Sequence, residues 1–539
     1  MINGMMMHCN LNIKSIMQHA LTLYSQQEIV TLNTDGLTTH RYTYQDAFNR
    51  VAQFAHSLNR LNVSSNAIIG TIAWNNYQHF ELHYSIPCSG RIYHTINPKL
   101  SSTQLVQIIT SAKDEVLIIE PSFIGIIENI YEEIKLYVKH IIILGKERVE
   151  LNTKFEYTFY EDLLSIEPTQ YDWPDIPEES ASGLCYTSGT TGEPKGVLYS
   201  HRSTVLHAMT LSMANVVGLS EKSCIMPLVP LYHISAWGMP FNAVLCGSKI
   251  VWPNSFAGDI EKVYNLIESE KVDISMAVPT IWSNLKNYLH EKNVSEIALR
   301  RAISGGSAAS YTLIEGLSRY GISVENAWGM TETSSMGACN RTDNTEKSSE
   351  TQALKCGRPI FGLQIRLRGN NNELLPHDGV SEGVLEIKGH SIVRQYLNTG
   401  HQTSSHDSLD LWFDTGDIAT IDKYGYIHIT DRVKDMIKTG GEWVSSVEIE
   451  NAMQGHKKVA EVAVIAASHP KWGERPLLIL VTKADSYIEH VEVEEYLSNK
   501  LHKWCIPSAT ILVKEMPYTG TGKISKKELR ERYYNYFMQ

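Results

Sequence analysis

The stretch YTSGTTGEPKGV, residues 186–197, decides how this chain is read. Within twelve residues it places hydroxyls at Thr187, Ser188, Thr190 and Thr191, glycines at Gly189, Gly192 and Gly196, and a cation at Lys195. Such a stretch can wrap phosphate oxygens, which take hydrogen bonds from backbone N–H groups, hydroxyls and a lysine. The familiar phosphate loop, G-x-x-x-x-G-K-[ST], is excluded. Gly192 follows Gly189 too early, Pro194 removes the N–H before Lys195, and Gly196 stands where a magnesium-binding hydroxyl is required. The alternative is a glycine-rich hairpin turn. The surroundings have to decide.

Outward from this stretch, short β-rich runs alternate with helical ones. EVLIIE (115–120) and HIIILG (140–145) flank a helical pattern, and KIVW (249–252), DISMAV (273–278) and LRRAISGG (299–306) repeat the arrangement further on. Alternation of this kind predicts an α/β fold with parallel sheets and crossover helices. Helix starts are signalled by Ser101 with Gln104 and by Ser445 with Glu448. A polar β region (LQIRLR, then GVLEIKG) precedes a compact C-terminal α+β unit. The boundary is expected at Asp431, giving a large domain over 1–430 and a small mobile domain over 431–539.

At 539 residues the chain exceeds one hydrophobic core. Its net charge of −11 argues against nucleic acid as a partner, so an anionic substrate needs locally placed cations. Eight cysteines without a C-x-x-C pair suggest reduced thiols and no zinc site. No apolar run approaches the roughly 20 residues of a membrane-spanning helix, and the start lacks a signal-peptide pattern. A cytoplasmic protein is expected, with room for a peripheral membrane contact.

Four further motifs carry chemistry. VPLYHISAWGMPF (229–241) sets His233 and Trp237 among apolar residues, where core positions at a helix start are the plainer reading. ISGGSAAS with ENAWGMTETS (325–334) sets Glu332 after a glycine turn, as a ligand for a hard cation or as part of a capped helix start. In the FDTGD turn Asp417 can accept hydroxyl donors from a ribose, with Arg432 and Lys438 nearby. PYTGTGKISKKEL (517–529) puts Lys523 at a loop tip, ordinarily a solvated position.

Together and in this order the motifs resemble the adenylate-forming superfamily of acyl-CoA synthetases, luciferases and carrier-protein adenylation domains, over nearly the whole chain. HTINPKLSS (94–102), VLYSHRST (197–204), VPLYHISAWGMPF and GGEWVSSVEIEN give it the flavour of the medium- and long-chain fatty acyl-CoA synthetases. The resemblance implies a fatty acid–CoA ligase using ATP, Mg²⁺ and coenzyme A, and a homodimer. Alternatives are a ligase for another small carboxylate (branched, aromatic or sulfur-containing) and a non-catalytic nucleotide-binding relative.

The same resemblance implies the residue roles. Thr187, Ser188, Gly189, Thr190, Thr191, Gly192 and Lys195 would hold the β- and γ-phosphates, and Thr187 with Glu332 would hold Mg²⁺. Thr331 would contact the α-phosphate, and Lys523 would bridge it to the substrate carboxylate. Gly306, Asn326, Ala327 and Trp328 would form the adenine pocket, with His233 close by. Asp417 and Arg432 would hold the ribose, with Lys434, Lys438 and Trp443 closing over the nucleotide. Trp237 would gate the acyl tunnel, and Gly440, Gly441 and Glu442 would face coenzyme A. Two positions depart from the family pattern: Tyr518 replaces a basic residue, and Trp328 replaces the commoner tyrosine.

Overall fold

The computed structural model describes residues 3–145, 153–187, 194–341, 350–398, 412–440, 442–484, 486–519 and 523–538. The buried apolar runs form two central sheets. One orders Thr158–Phe159, His140–Ile143, Val116–Ile119, Ile68–Ile72, Ile92–Thr95 and Ala181–Thr187 in parallel, and closes with Lys195–Ser200 antiparallel to its neighbour. The other is nine-stranded and parallel from Ser323–Trp328 to Glu28–Leu32, with antiparallel strands at both edges. Parallel strands buried on both faces read as continuous Ile/Val/Leu runs, which explains why the alternation was visible in the sequence.

Crossover helices start where the sequence signalled. Ser101 caps Ser102–Ala112 in a full capping box with Gln104, and Ser445 caps Ser446–Gln454 by accepting from the Glu448 N–H. The polar β region is a four-stranded antiparallel sheet of Leu363–Arg368, Gly383–Gly389, Phe413–Ile421 and Ile427–Arg432.

Beyond it, Ile437–Thr439, Glu442–Val444, Val459–His469, Gly473–Thr482 and Ala509–Leu512 make a separate five-stranded sheet. Its two hydrophobic clusters begin at Ile437, whereas those of the preceding sheets end at Ile429. Among the described residues no apolar cluster bridges 430–436. Polar contacts cross there instead. The buried Asp431 carboxylate accepts from the Ser446 N–H at 2.6 Å and from its hydroxyl at 3.0 Å, and Ser445 Oγ donates to the Thr430 carbonyl at 2.8 Å. A carboxylate on the first turn of a helix suits the helix dipole.

Candidate active site

The quoted stretch is a hairpin. Ala181–Thr187 leads in and Lys195–Ser200 leads out, with Thr187 paired to Lys195 at the base of the loop. Ser188, Gly189, Thr190, Thr191 and Gly192 lie outside the described residues. Both hairpin strands are held in the sheet, so the loop springs from a fixed stem.

Beside the hairpin lies the 3₁₀ turn Thr331–Thr333. The Tyr199 hydroxyl donates to the Thr331 carbonyl at 2.7 Å, and the Tyr396 hydroxyl donates to Glu332 Oε1 at 2.7 Å. Burial pushes the Glu332 carboxyl up, while Tyr396 and the charges of Lys195 and Arg432 hold it down. A half-compensated buried carboxylate gains from a cation. Among the described residues no cluster of three His, Cys, Asp or Glu side chains exists. One carboxylate, with a hydroxyl at Thr187 on the hairpin stem, fits Mg²⁺, which keeps waters and takes its other ligands from substrate phosphates. Those two residues are the ones that would hold it.

Ser323–Trp328 and Phe413–Ile421 bring Trp328 and Asp417 together. The Trp328 indole N–H donates to Asp417 Oδ2 at 2.8 Å, and Arg432 Nε lies 3.1 Å from Oδ1. The Trp328 ring lies over Gly337, where a methyl group would sit 2.6 Å from Cζ3. Asn326 is committed to bracing: its Oδ1 accepts from the Ala309 N–H at 2.9 Å and its Nδ2 donates to the Ala353 carbonyl at 3.0 Å. Ala327 pairs with Cys339 in the sheet. These residues shape an open shelf edged by one carboxylate.

Lys523 arrives from the small domain. Its side chain lies against the Gly306 turn, where φ is +89° and a Cβ would sit 3.1 Å from Lys523 Cε. Burial lowers its pKa to about 8, repulsion from Arg432 and Lys434 adds to this, and Asp417 opposes it. His233 is lowered to about 4 by burial and then by the charge of Lys523, so its ring is neutral, with Nδ1 accepting from the Ser235 N–H at 3.2 Å. Lys523, Arg432 and Lys434 thus lie in one another's field, with Asp417 opposing the repulsion on Lys523, an arrangement that favours an added anion. The Lys523 loop is fastened at its base, where the Thr519 N–H donates to the Lys523 carbonyl at 2.7 Å. The Tyr518 hydroxyl bonds Glu461, so the residue standing in the basic position anchors the loop to its own domain.

Other expected residues lie apart. Lys438 and Trp443 pair across a small-domain hairpin, the lysine Nζ 5.5 Å from the exposed ring. Gly440 adopts φ +58° and its N–H donates to the Trp472 carbonyl at 2.9 Å, while Glu442 is exposed. Gly441 lies outside the described residues.

His233 caps the turn Ile234–Ala236, and Trp237 leads into the helix Gly238–Cys246. Trp237 is buried, donates from its indole N–H to the Leu231 carbonyl at 3.2 Å, and packs on the Tyr199 and Tyr93 rings. It borders an enclosed apolar pocket with Tyr199, His207, Ala208, Ile234 and Phe241. The free space there is about 10 Å³, on the order of one water. Sequence reasoning missed Tyr199 and Tyr396. Tyr199 follows the inward alternation of Val197 on a strand, a usable signal; Tyr396 has none in its local pattern.

The AMP-binding enzyme family matches residues 23–397, and the AMP-binding enzyme C-terminal domain family matches 448–523. A medium-chain-fatty-acid–CoA ligase of Ectopseudomonas oleovorans is 39% identical over 98% of this chain and 97% of its own. A 3-methylmercaptopropionyl-CoA ligase of Ruegeria lacuscaerulensis is 38% identical over 98% of each. In fold the chain is similar to ATP-bound MatB from Rhodopseudomonas palustris, with a TM-score of 0.85 at 23% identity, covering 98% of this chain and 100% of that one. With both family domains matched in order, the chain belongs to the AMP-binding enzymes and is an adenylate-forming ligase.

Proposed function

We propose that the protein is an AMP-forming fatty acid–CoA ligase for medium- or long-chain acids. The observation that carries the reaction is Lys523 at the Gly306 turn beside Asp417 and Arg432, a concentration of cations with one ribose-sized acceptor. In the first half-reaction a carboxylate oxygen attacks the α-phosphorus of ATP and pyrophosphate leaves. Two anions must approach, so charge neutralisation is the main task. Lys523 draws the carboxylate oxygen and the α-phosphate together, Thr331 orients the α-phosphate, and Asp417 with Arg432 holds the ribose. Mg²⁺, when bound by Thr187 and Glu332, supplies further neutralisation of the phosphates. Neutral His233 lines this space without adding a positive charge.

In the second half-reaction the thiol sulfur of coenzyme A attacks the acyl carbonyl, AMP leaves, and the thiol proton passes to solvent. For this step the small domain rotates about Asp431, withdrawing Lys523 and presenting 440–442. The lack of an apolar cluster across 430–436 supports a hinge there, since few contacts have to break.

The acid is read from the pocket at Trp237. Its walls are mostly aromatic and aliphatic, with Thr204, His207 and Ser334 among them, and the apolar part suits methylenes at about 0.8 kcal/mol each. The likeness to a medium-chain ligase supports the same reading. A small sulfur-containing acid is the second reading, favoured by the narrowness of the pocket and by the 3-methylmercaptopropionyl-CoA ligase. Pyrophosphate release, followed by CoA-dependent AMP release, across acids from acetate to oleate separates them. kcat/KM rising with chain length supports the fatty-acid reading. A maximum at 3-methylmercaptopropionate replaces it with the second, and no pyrophosphate with any acid overturns both.

A further inference from the structure

The segment 391–398 belongs to no motif singled out in the sequence, yet it straps three parts of the molecule together. The Ser334 hydroxyl donates to the Ser391 carbonyl at 2.8 Å, and the Val393 N–H donates to the Glu332 carbonyl at 2.9 Å. The Leu397 N–H donates to the Gly196 carbonyl at 2.8 Å, next to an isolated antiparallel bridge between Val197 and Tyr396. Asn398 Nδ2 donates to the Ser111 carbonyl at 2.8 Å. The close approach depends on Gly196, where a methyl group would lie 3.2 Å from Leu397 Cβ. The strap therefore fixes the Glu332 turn relative to the phosphate hairpin.

Tyr396 is the side chain at its centre. The hydroxyl donates to Glu332 Oε1 at 2.7 Å, and Lys195 Nζ lies 5.2 Å from the ring centroid. One residue thus orients a carboxylate from one loop and a cation from another. Glu332 and Lys195 carry opposite charges and attract each other across this space. The tyrosine gives each a different partner. A carboxylate offers about four lone-pair sites, so a single hydroxyl leaves room for a metal ion.

We propose that Tyr396 is a positioning residue for adenylation: its hydroxyl aims Glu332 at Mg²⁺, and its ring seats Lys195 beside the β- and γ-phosphates. The proposal rests on the reading of Glu332 and Lys195 given above. It is tested by calorimetric titration of ATP into the full chain at a series of MgCl₂ concentrations, for wild type, Tyr396→Phe, Tyr396→Leu and Glu332→Gln. Tyr396→Phe keeps the ring and loses the hydroxyl, so the Mg²⁺ concentration for half-maximal ATP binding should rise about tenfold, the scale of one hydrogen bond to a charged group. ATP affinity at saturating Mg²⁺ should stay within about twofold, because the seat for Lys195 survives. Tyr396→Leu loses the seat as well, and ATP binding at saturating Mg²⁺ should weaken several-fold. Thermal unfolding of the ligand-free variants reads out any purely structural role, and Tyr396→Phe should melt close to wild type. A rise in Mg²⁺ requirement for Glu332→Gln but not for Tyr396→Phe overturns the proposal, as does a loss in Tyr396→Phe confined to melting temperature. If neither variant changes its Mg²⁺ requirement, the assignment of Glu332 itself is wrong, and the proposal falls with it.

Discussion

Asp417 and Trp237, to which the proposed function gives the nucleotide and the acid, stand in surroundings that are built differently. On the nucleotide side directional bonds hold both carboxylates: Asp417 has Trp328 and Arg432, and Glu332 has Tyr396. On the acid side Trp237 is held by one indole hydrogen bond and by contacts with Tyr93, Tyr199 and the pocket walls. Around Asp417 and Glu332 the geometry is set by directional bonds. Around Trp237 packing does most of the holding, and the free space beside the indole is about 10 Å³. Directional bonds fix where charge sits, and packing sets how much volume a substrate can claim.

The largest effect that could break this contrast is at Lys523. Lys523→Ala should slow adenylation by about 10²–10³, the scale of losing one preorganised electrostatic group. Thioester formation from a supplied acyl-adenylate should persist, because Lys523 acts on the nucleotide side alone. Equal loss in both half-reactions, measured separately by pyrophosphate release and acyl-CoA formation, rejects the division of labour.

Proton titration of the same group sharpens it. The working form is the cation, and burial with Arg432 lowers its pKa to about 8 in the ligand-free protein. kcat/KM for ATP should therefore be level below that pH and fall about tenfold per unit above it. Bound ATP, a polyanion, favours the cation, so the same limb in kcat should appear at higher pH. A profile flat from neutral pH into the alkaline range in wild type removes Lys523 from the step.

The hinge gives a smaller effect. Asp431→Pro should depress thioester formation about tenfold more than adenylation, since proline fixes φ near −65° where the small domain turns. Proline also removes the carboxylate that holds Ser446, so Asp431→Asn serves as the control. Matching ratios of the two rates in both variants would assign the effect to the carboxylate rather than to the backbone.

The smallest concerns the acid side. Trp237→Ala should leave ATP affinity within about twofold and change kcat/KM for long acids about fivefold more than for butyrate, the discrimination available from a few methylenes. A uniform loss from short to long acids makes Trp237 an ordinary core residue and favours the small-acid reading.

The turns that carry Glu332, Asp417 and Lys523 were legible in the sequence because glycines and threonines mark them, while Lys523 by itself reads as a solvated loop tip and Glu332 equally as part of a capped helix start. The sheets were legible because parallel strands such as Val116–Ile119 and Ile274–Ala277 are buried runs. The helix Tyr77–Cys88 was not: it is buried along its length while carrying Gln78, His79, Glu81 and His83, so no apolar stripe marks it. Its Glu81 is matched by Arg50 at 2.7 Å and by the Tyr160 hydroxyl, partners distant in sequence. Tyr396 was hidden for the same reason, since its meaning depends on Glu332, 64 residues away. The pocket at Trp237 draws its walls from separate elements, and no local pattern reports their spacing.

Gly183 is the register partner of Tyr199, and a methyl group there would lie 2.6 Å from Trp237 Cζ3. The strand Ala181–Thr187, which leads into the hairpin, therefore also packs against the Trp237 indole. A methyl group at that position would displace the indole, which packs on Tyr199, the tyrosine that holds the Thr331 carbonyl. One strand away, Gly196 lies between Tyr186 and Leu397, and a methyl group would press on both. One hairpin thus carries two glycines whose missing side chains leave room for close neighbours, the Trp237 indole at the first and the strap at Leu397 at the second.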